Sequence, residues 1–364
     1  MNNFTFHIRT KLYFDNTTRD VQLKDIFEDF GYKKVFLIYG GKSLKNNGYY
    51  QKIVDNLHQN NISFDEFSNV LFNPDVENII PCVEKVRSFK PDCLIAIGGG
   101  SVIDFTKLVA HSYYYDGDPM DIVKEVVKPI NSLPFGTILT LIASGSEMSN
   151  SCVISDRKHN FKKGFRSELN YPTFSYLNPY LTETVPSYQI SCGIADMFCH
   201  TLERYLTESD ELEIADDLAL GLLKDIVEVS YRVVDKPFEV NSRSKMMICG
   251  TLAHCGVTSF AKNYKMPIHG AEHILSGKYP SIVHGDGINF FMPYFLELNR
   301  KELKDKIAKL GEIVFKLKRP SVKKVLETFR DWTYSLNLHK DFSEYGVEKG
   351  YIDSLISRLK NKNK

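Results

Sequence analysis

No stretch of this chain stays apolar for the ~20 residues needed to cross a bilayer. The N-terminus, Met-Asn-Asn-Phe-Thr-Phe-His-Ile-Arg, lacks a charged segment followed by an apolar one. Neither a membrane span nor a secretory leader is expected, so the expectation is a cytoplasmic protein. Charge of one sign is also lacking: 46 Lys+Arg face 45 Asp+Glu, a formal net charge of +1. That balance argues against nucleic acid or an anionic membrane as partner. The Lys-rich end, 360–364, reads as a solvated tail. No CxxC pair is present, and the seven cysteines (Cys82, Cys93, Cys152, Cys192, Cys199, Cys249 and Cys255) are odd in number and widely spread. They read as reduced structural thiols. Internal repeats and low-complexity segments are absent.

What is there suggests two domains, since 364 residues hold ample material for two cores. Residues 4–13 alternate like a hairpin or edge strand. Residues 21–30 read as a short helix. Residues 34–39 form a continuous apolar run ending in Gly40-Gly41, the pattern of a buried parallel strand and a tight turn. A helix over 44–59, a strand over 62–67, a turn at Asn73-Pro74, a helix over 76–89 and a strand over 92–97 follow. That strand runs into Gly98-Gly99-Gly100-Ser101, which opens a helix through Asp104 and Lys107. A fourth strand, 134–142, leads to Ser144-Gly-Ser-Glu147. Strands alternating with helices imply right-handed crossovers and a parallel sheet. After about Thr182 the strand signals stop, with polar punctuation near Ser209-Asp210, Lys236-Pro237 and Lys318-Arg-Pro320. The expected architecture is an α/β dinucleotide-binding domain over 1–181 and an all-helical metal-binding domain over 182–364.

The glycines suit an anion. Without Cβ atoms at Gly98, Gly99 and Gly100 the backbone can approach a phosphate, and the helix that follows offers its positive end. The pattern is not GxGxxG, so the usual dinucleotide fingerprint is absent. The first strand ends Tyr39-Gly40-Gly41-Lys42-Ser43, with no acid for a ribose 2′-OH. Lys42 and Ser43 suit a 2′-phosphate, which favours NADP over NAD.

The chemistry points to Gly193-Ile-Ala-Asp196-Met-Phe-Cys-His200. On a helix, Asp196 and His200 are four apart and share a face. Met266-Pro-Ile-His269-Gly-Ala-Glu-His273 carries a second such pair, and Ile282-Val-His284-Gly adds another His. Each pair alone reads as well as a polar helix face. Three His and one Asp would close a shell around a divalent metal, leaving one His for proton work.

These pieces resemble the iron-containing (group III) alcohol dehydrogenases, which share their architecture with glycerol dehydrogenase and dehydroquinate synthase. The markers are Gly98-Gly-Gly-Ser-Val-Ile-Asp104, Thr140 with Ser144-Gly-Ser-Glu147, Gly193-Ile-Ala-Asp196 with His200, His269-x-x-x-His273, and His284-Gly285. Tyr39-Gly40-Gly41-Lys42-Ser43 looks most like the NADP-dependent butanol-dehydrogenase-like branch. The resemblance implies Asp196, His200, His269 and His284 as ligands of Fe(II) or Zn(II), with His273 beside the nicotinamide as a proton-relay group. It implies Gly99, Gly100, Ser101 and Asp104 at the pyrophosphate. Gly40, Gly41, Ser43, Asn73, Thr140, Ser149 and Lys162 are implied along the rest of the cofactor. Activity on a small alcohol or aldehyde and a homodimer are implied as well. Val283 before the last His-Gly and Ile-Ala-Ser at 142–144 depart from the family pattern and leave the substrate open. Two other readings are weighed. A dehydroquinate-synthase-like lyase would need a basic cluster, and only Arg204, Lys262, Lys265 and Lys278 are available. A non-catalytic cofactor binder would not need the ligand set.

Overall fold

The computed structural model describes residues 3–207 and 213–360. Ser209-Asp210 and the tail beyond Lys360 lie outside the described residues. The chain divides into two compact units. The strand unit comprises Ile8–Ile142 and Ser146–Val185, and the helical unit comprises Met1–His7, Ala143–Gly145 and Pro186–Lys364.

In the strand unit, β1 (Lys11–Phe14), β2 (Lys34–Tyr39), β3 (Ser63–Phe67), β4 (Cys93–Gly98), β5 (Phe135–Leu139) and β8 (Phe174–Leu177) build one sheet. A separate pair, β6 (Ser151–Asp156) and β7 (Phe161–Arg166), is antiparallel. The large sheet runs β1-β8-β5-β4-β2-β3, parallel throughout. β2, β4 and β5 are buried along almost their whole length, because crossover helices cover both faces of such a sheet. That is why their sequences are continuous apolar runs. The register sets Tyr39 beside Ile97, and Gly98 beside Leu139. The loops that start at Gly40, Gly99 and Thr140 therefore leave one edge of the sheet at one level, where ligands of parallel sheets bind.

The helices here are α1 (Lys24–Phe30), α2 (Ser43–Asn46), α3 (Tyr49–Gln59), α4 (Ile79–Phe89), α5 (Gly100–Ser112) and α6 (Pro119–Val123). Of the hairpin or edge strand expected over 4–13, the edge strand forms: β1, parallel to β8. Other expectations need correction. The helix over 44–59 is two helices, because Gly48 takes a left-handed backbone with φ of 78°. The strands β6, β7 and β8 carry no expectation above: Lys162, Lys163 and Arg166 interrupt the apolar signal of β7, and β8 is only four residues long.

The helical unit holds α7 (Ser187–Leu206), α8 (Glu213–Val233), α9 (Val240–His254), α10 (Pro267–Lys278), α11 (His284–Leu298), α12 (Lys304–Ile313), α13 (Val322–Ser335) and α14 (Lys349–Arg358). Every residue of α7 from Ile190 to Leu206 is buried. A helix buried on all sides is a core helix, and α7 packs against α8, α9 and α11. The one tryptophan, Trp332, stacks 4.3 Å from Phe198 of α7, and its indole N–H donates to Ser230. Among the described residues no helix is long and apolar enough to cross a membrane.

Candidate metal centre

Asp196 and His200 stand one turn apart on α7, and their side chains converge. His200 Nε2 lies 3.3 Å from Asp196 Oδ1. α10 begins at Pro267, whose fixed φ suits a first helical position, and brings His269 Nε2 to 3.6 Å from the same oxygen. α11 begins at His284, whose Nε2 lies 3.8 Å from it. Ligands on a tetrahedral metal with bonds of about 2.1 Å stand about 3.4 Å apart. Asp196 Oδ1 and His269 Nε2 are buried without a hydrogen-bond partner, a costly state that a metal ion would relieve. The donor set and spacing fit a divalent metal, and three imidazoles with one carboxylate suit Fe(II) or Zn(II).

Two acids that the spacing argument missed complete the arrangement. Glu203 accepts from His269 Nδ1 with one oxygen and from the Ile268 backbone N–H, at 2.6 Å, with the other. Glu272 accepts from His284 Nδ1. Each acid takes a hydrogen bond from Nδ1 and so turns Nε2 toward Asp196, the usual support of a metal-ligating imidazole. The legible signal was Asp196, His200 and Glu203 at i, i+4 and i+7 of one helix. Asp196, Glu203 and Glu272 are 3 %, 2 % and 0 % exposed. Three buried carboxylates around three imidazoles call for cationic charge. Burial lowers the basicity of His269, but Glu203 and Asp196 outweigh it and raise its pKa to about 9. His200 goes the other way, pushed well down by burial and by the neighbouring His254 and His269.

His273 lies beside the set rather than in it. Its ring is 5.4 Å from that of His284 and 6.4 Å from that of His269, and it is half-buried. Cys199 Sγ is 3.8 Å from His269 Nδ1. Burial, then Glu203 and Asp196, push its thiol well up. His254, the other missed residue, stacks on His200 with ring centroids 4.1 Å apart. No short spacing links it to the other histidines. The basic residues are engaged elsewhere. Arg204 Nη1 donates to the carbonyls of His200 and Ala253 and its guanidinium covers Tyr264. Lys262 donates to the Arg204 carbonyl and pairs with Asp216. Lys265 is exposed, and Lys278 lies over Tyr351. Among them there is no clamp for a phosphorylated substrate.

In the strand unit, α5 starts at Gly100 and no side chain caps its N-terminus, which leaves backbone donors for an anion. A Cβ on Gly99 would meet Leu141 Cβ at 2.8 Å, so the strand-to-helix turn requires glycine there. Ser101 is half-buried in the first turn. Asp104 is not turned to that cradle alone: its oxygens accept from Ser146 Oγ at 2.6 Å and the Val153 N–H at 2.9 Å. Lys107, fully buried, donates to the carbonyls of Ser146, Ser149 and Ser151. Together they shape the loop that carries Ser149. Ser149 Oγ accepts from the Ser151 N–H, and the Thr140 N–H donates to Gly98. Lys162 donates to Asn73 at 3.0 Å, which brings two separately expected residues together. A Cβ on Gly41 would meet nothing within 4 Å. The nearest acid, Glu66 on β3, is taken by Tyr39, Tyr50 and Lys45.

Comparison with known proteins follows the same lines. Residues 10–179 match the family described as iron-containing alcohol dehydrogenase, and residues 190–361 match the C-terminal part of that family. The chain is 34 % identical to NADH-dependent butanol dehydrogenase A of Clostridium acetobutylicum, over 98 % of this chain and 93 % of that one. It is 29 % identical to the NADPH-dependent aldehyde reductase YqhD of Escherichia coli, over 99 % and 93 %. The crystal structure of NADH-dependent butanol dehydrogenase A from Thermotoga maritima superposes with a TM-score of 0.92 at 28 % identity, covering 99 % of this chain and 90 % of that one. Likeness that spans both units, strands and helices alike, leaves one conclusion: this chain belongs to the iron-containing alcohol dehydrogenase family.

Proposed function

We propose that the chain is an NAD(P)H-dependent alcohol dehydrogenase, or aldehyde reductase, of that family, acting on a small alcohol or aldehyde. The observation that carries this reading is the buried oxygen of Asp196 facing three imidazole nitrogens without a hydrogen bond. A bound metal supplies Lewis-acid polarisation of the substrate oxygen and the nicotinamide supplies the hydride. Asp196, His200, His269 and His284 would hold the metal, and Glu203 and Glu272 keep two of the imidazoles turned toward it. His273, half-buried beside His284, carries the substrate proton to and from solvent.

For the cofactor, the bare α5 N-terminus with Gly99, Gly100 and Ser101 takes the pyrophosphate. Asp104 shapes that cradle through Ser146, while Asn73, Thr140, Ser149 and Lys162 line the remainder. Gly40, Gly41 and Ser43 take the adenosine ribose. NADP is the preferred form in this reading: Gly41 leaves space, Lys42 and Ser43 are exposed, and Glu66 is already engaged by three partners. The two relatives above carry both cofactor names, so the preference rests on these residues. The enzyme works as a homodimer in the reducing cytoplasm, in keeping with seven buried cysteines that form no disulfide.

The test loads purified protein anaerobically with Fe(II) or Zn(II) and follows NADPH and NADH oxidation with short aldehydes. Turnover that a chelator abolishes, faster with NADPH, is expected, and His269→Ala should lose bound metal and turnover together. No turnover in a chain shown to hold metal and NADPH would overturn the reading.

A further inference from the structure

We propose that His254 is a positioning residue for His200, held in place by the loop at Ser144. The inference rests on the metal reading above. His269 and His284 are each oriented through Nδ1 by a buried acid, but His200 Nδ1 is buried and has no hydrogen-bond partner. A ligand imidazole is ordinarily steered through its second nitrogen, so something else must set the His200 ring. That ring lies between two others, His254 at 4.1 Å and 32° and His269 at 4.2 Å and 33°. Close packing of tilted rings on either side limits how far the His200 imidazole can turn, and it takes the place of the missing hydrogen bond.

His254 is itself anchored. Its Nδ1 lies 2.8 Å from the Ser144 carbonyl, and a carbonyl only accepts, so Nδ1 carries the proton and the ring plane is set. Ser144 belongs to Ala143–Gly145, the three residues of that loop that cluster with the helical unit. The loop sits directly on α9. Gly145 has φ of +66°, and a Cβ there would lie 2.6 Å from the Gly250 carbonyl and 2.8 Å from His254 Cβ. The order of support is therefore loop carbonyl, His254 ring, His200 ring. A displacement of Ser144 reaches a metal ligand through one intervening side chain.

Three variants separate stacking from tethering: His254→Ala removes both, His254→Phe keeps a ring, and His254→Gln keeps a donor. Zinc affinity is read by competition with a chromophoric chelator, and the cobalt-substituted protein by its visible absorption. The melting temperature at saturating zinc serves as the control for folding. His254→Ala is expected to bind zinc roughly 10–100-fold more weakly and to show a shifted cobalt spectrum, with His254→Phe falling between Ala and the unmutated protein, because it keeps the ring but loses the Ser144 anchor, and His254→Gln resembling Ala. Unchanged affinity and spectrum in both His254→Ala and His254→Gln would overturn the proposal, as would rescue by Gln and not by Phe. If His254→Ala does not fold, the Phe and Gln pair decides. Failure of the unmutated chain to bind either ion would overturn the metal reading itself, an outcome visible without any variant.

Discussion

Glu203 has two acceptor oxygens and two buried donors to satisfy, the Ile268 N–H and His269 Nδ1. A glutamine in its place turns one acceptor into a donor, so one of the two bonds is lost and the buried charge with it. Loss of a carboxylate behind a ligand imidazole ordinarily costs 10–100-fold in metal affinity. Glu203→Gln should therefore weaken zinc binding by about that factor, measured by chelator competition. Unchanged affinity would mean that Glu203 only caps α10. The Asp196–His200 pair was legible in the sequence because i, i+4 spacing on a helix is a local property. Glu272 was not legible, because His284, the residue it orients, is on another helix. His254 was not legible for a similar reason: the turn of α9 that faces His200 is chosen by packing.

Between elements, the closest approach in the centre is α11 against α7. A Cβ added to Gly285 would lie 2.1 Å from the Cys192 carbonyl oxygen, a backbone atom of α7. The two helices carry His284 on one side and Asp196 and His200 on the other, so anything that parts them also parts the ligands. Gly285→Ala should cost about 1–3 kcal/mol as overpacking, seen as a lower denaturant midpoint, and should reduce bound metal. Wild-type stability and metal content in that variant would show that the helices yield without moving the site. The same scale explains why 4–13 left hairpin and edge strand both open and why 44–59 read as one helix. A period-2 pattern does not say whether its strand pairs, and a helical period does not register a single left-handed residue such as Gly48.

For the molecule as a whole, β1 is the edge of the large sheet. Leu12 and Phe14 on it are 37 % and 39 % exposed, and Phe4, Phe6 and Ile8 just before it are 48 %, 40 % and 37 %. An edge strand with apolar neighbours is a template for a second chain. If the chain pairs through this edge as the proposed homodimer, it should sediment at twice the chain mass, and Phe14→Lys should shift it toward one chain. A single-chain mass at micromolar concentration in the unmutated protein would exclude the dimer.

By itself the sequence determined the parallel strand core, the change to helices after it and the i, i+4 pairs Asp196–His200 and His269–His273. These follow from periodicity, glycine placement and spacings of four, all of which act over a few residues. Tertiary structure decided the rest: which acids stand behind His269 and His284, that Asp104 and Lys107 shape a loop rather than only facing an anion, and that His200 is held by a neighbouring ring. Those contacts join residues 12 to 66 positions apart. They depend on how closely α7, α9, α10 and α11 pack, and no local pattern in the chain encodes that distance.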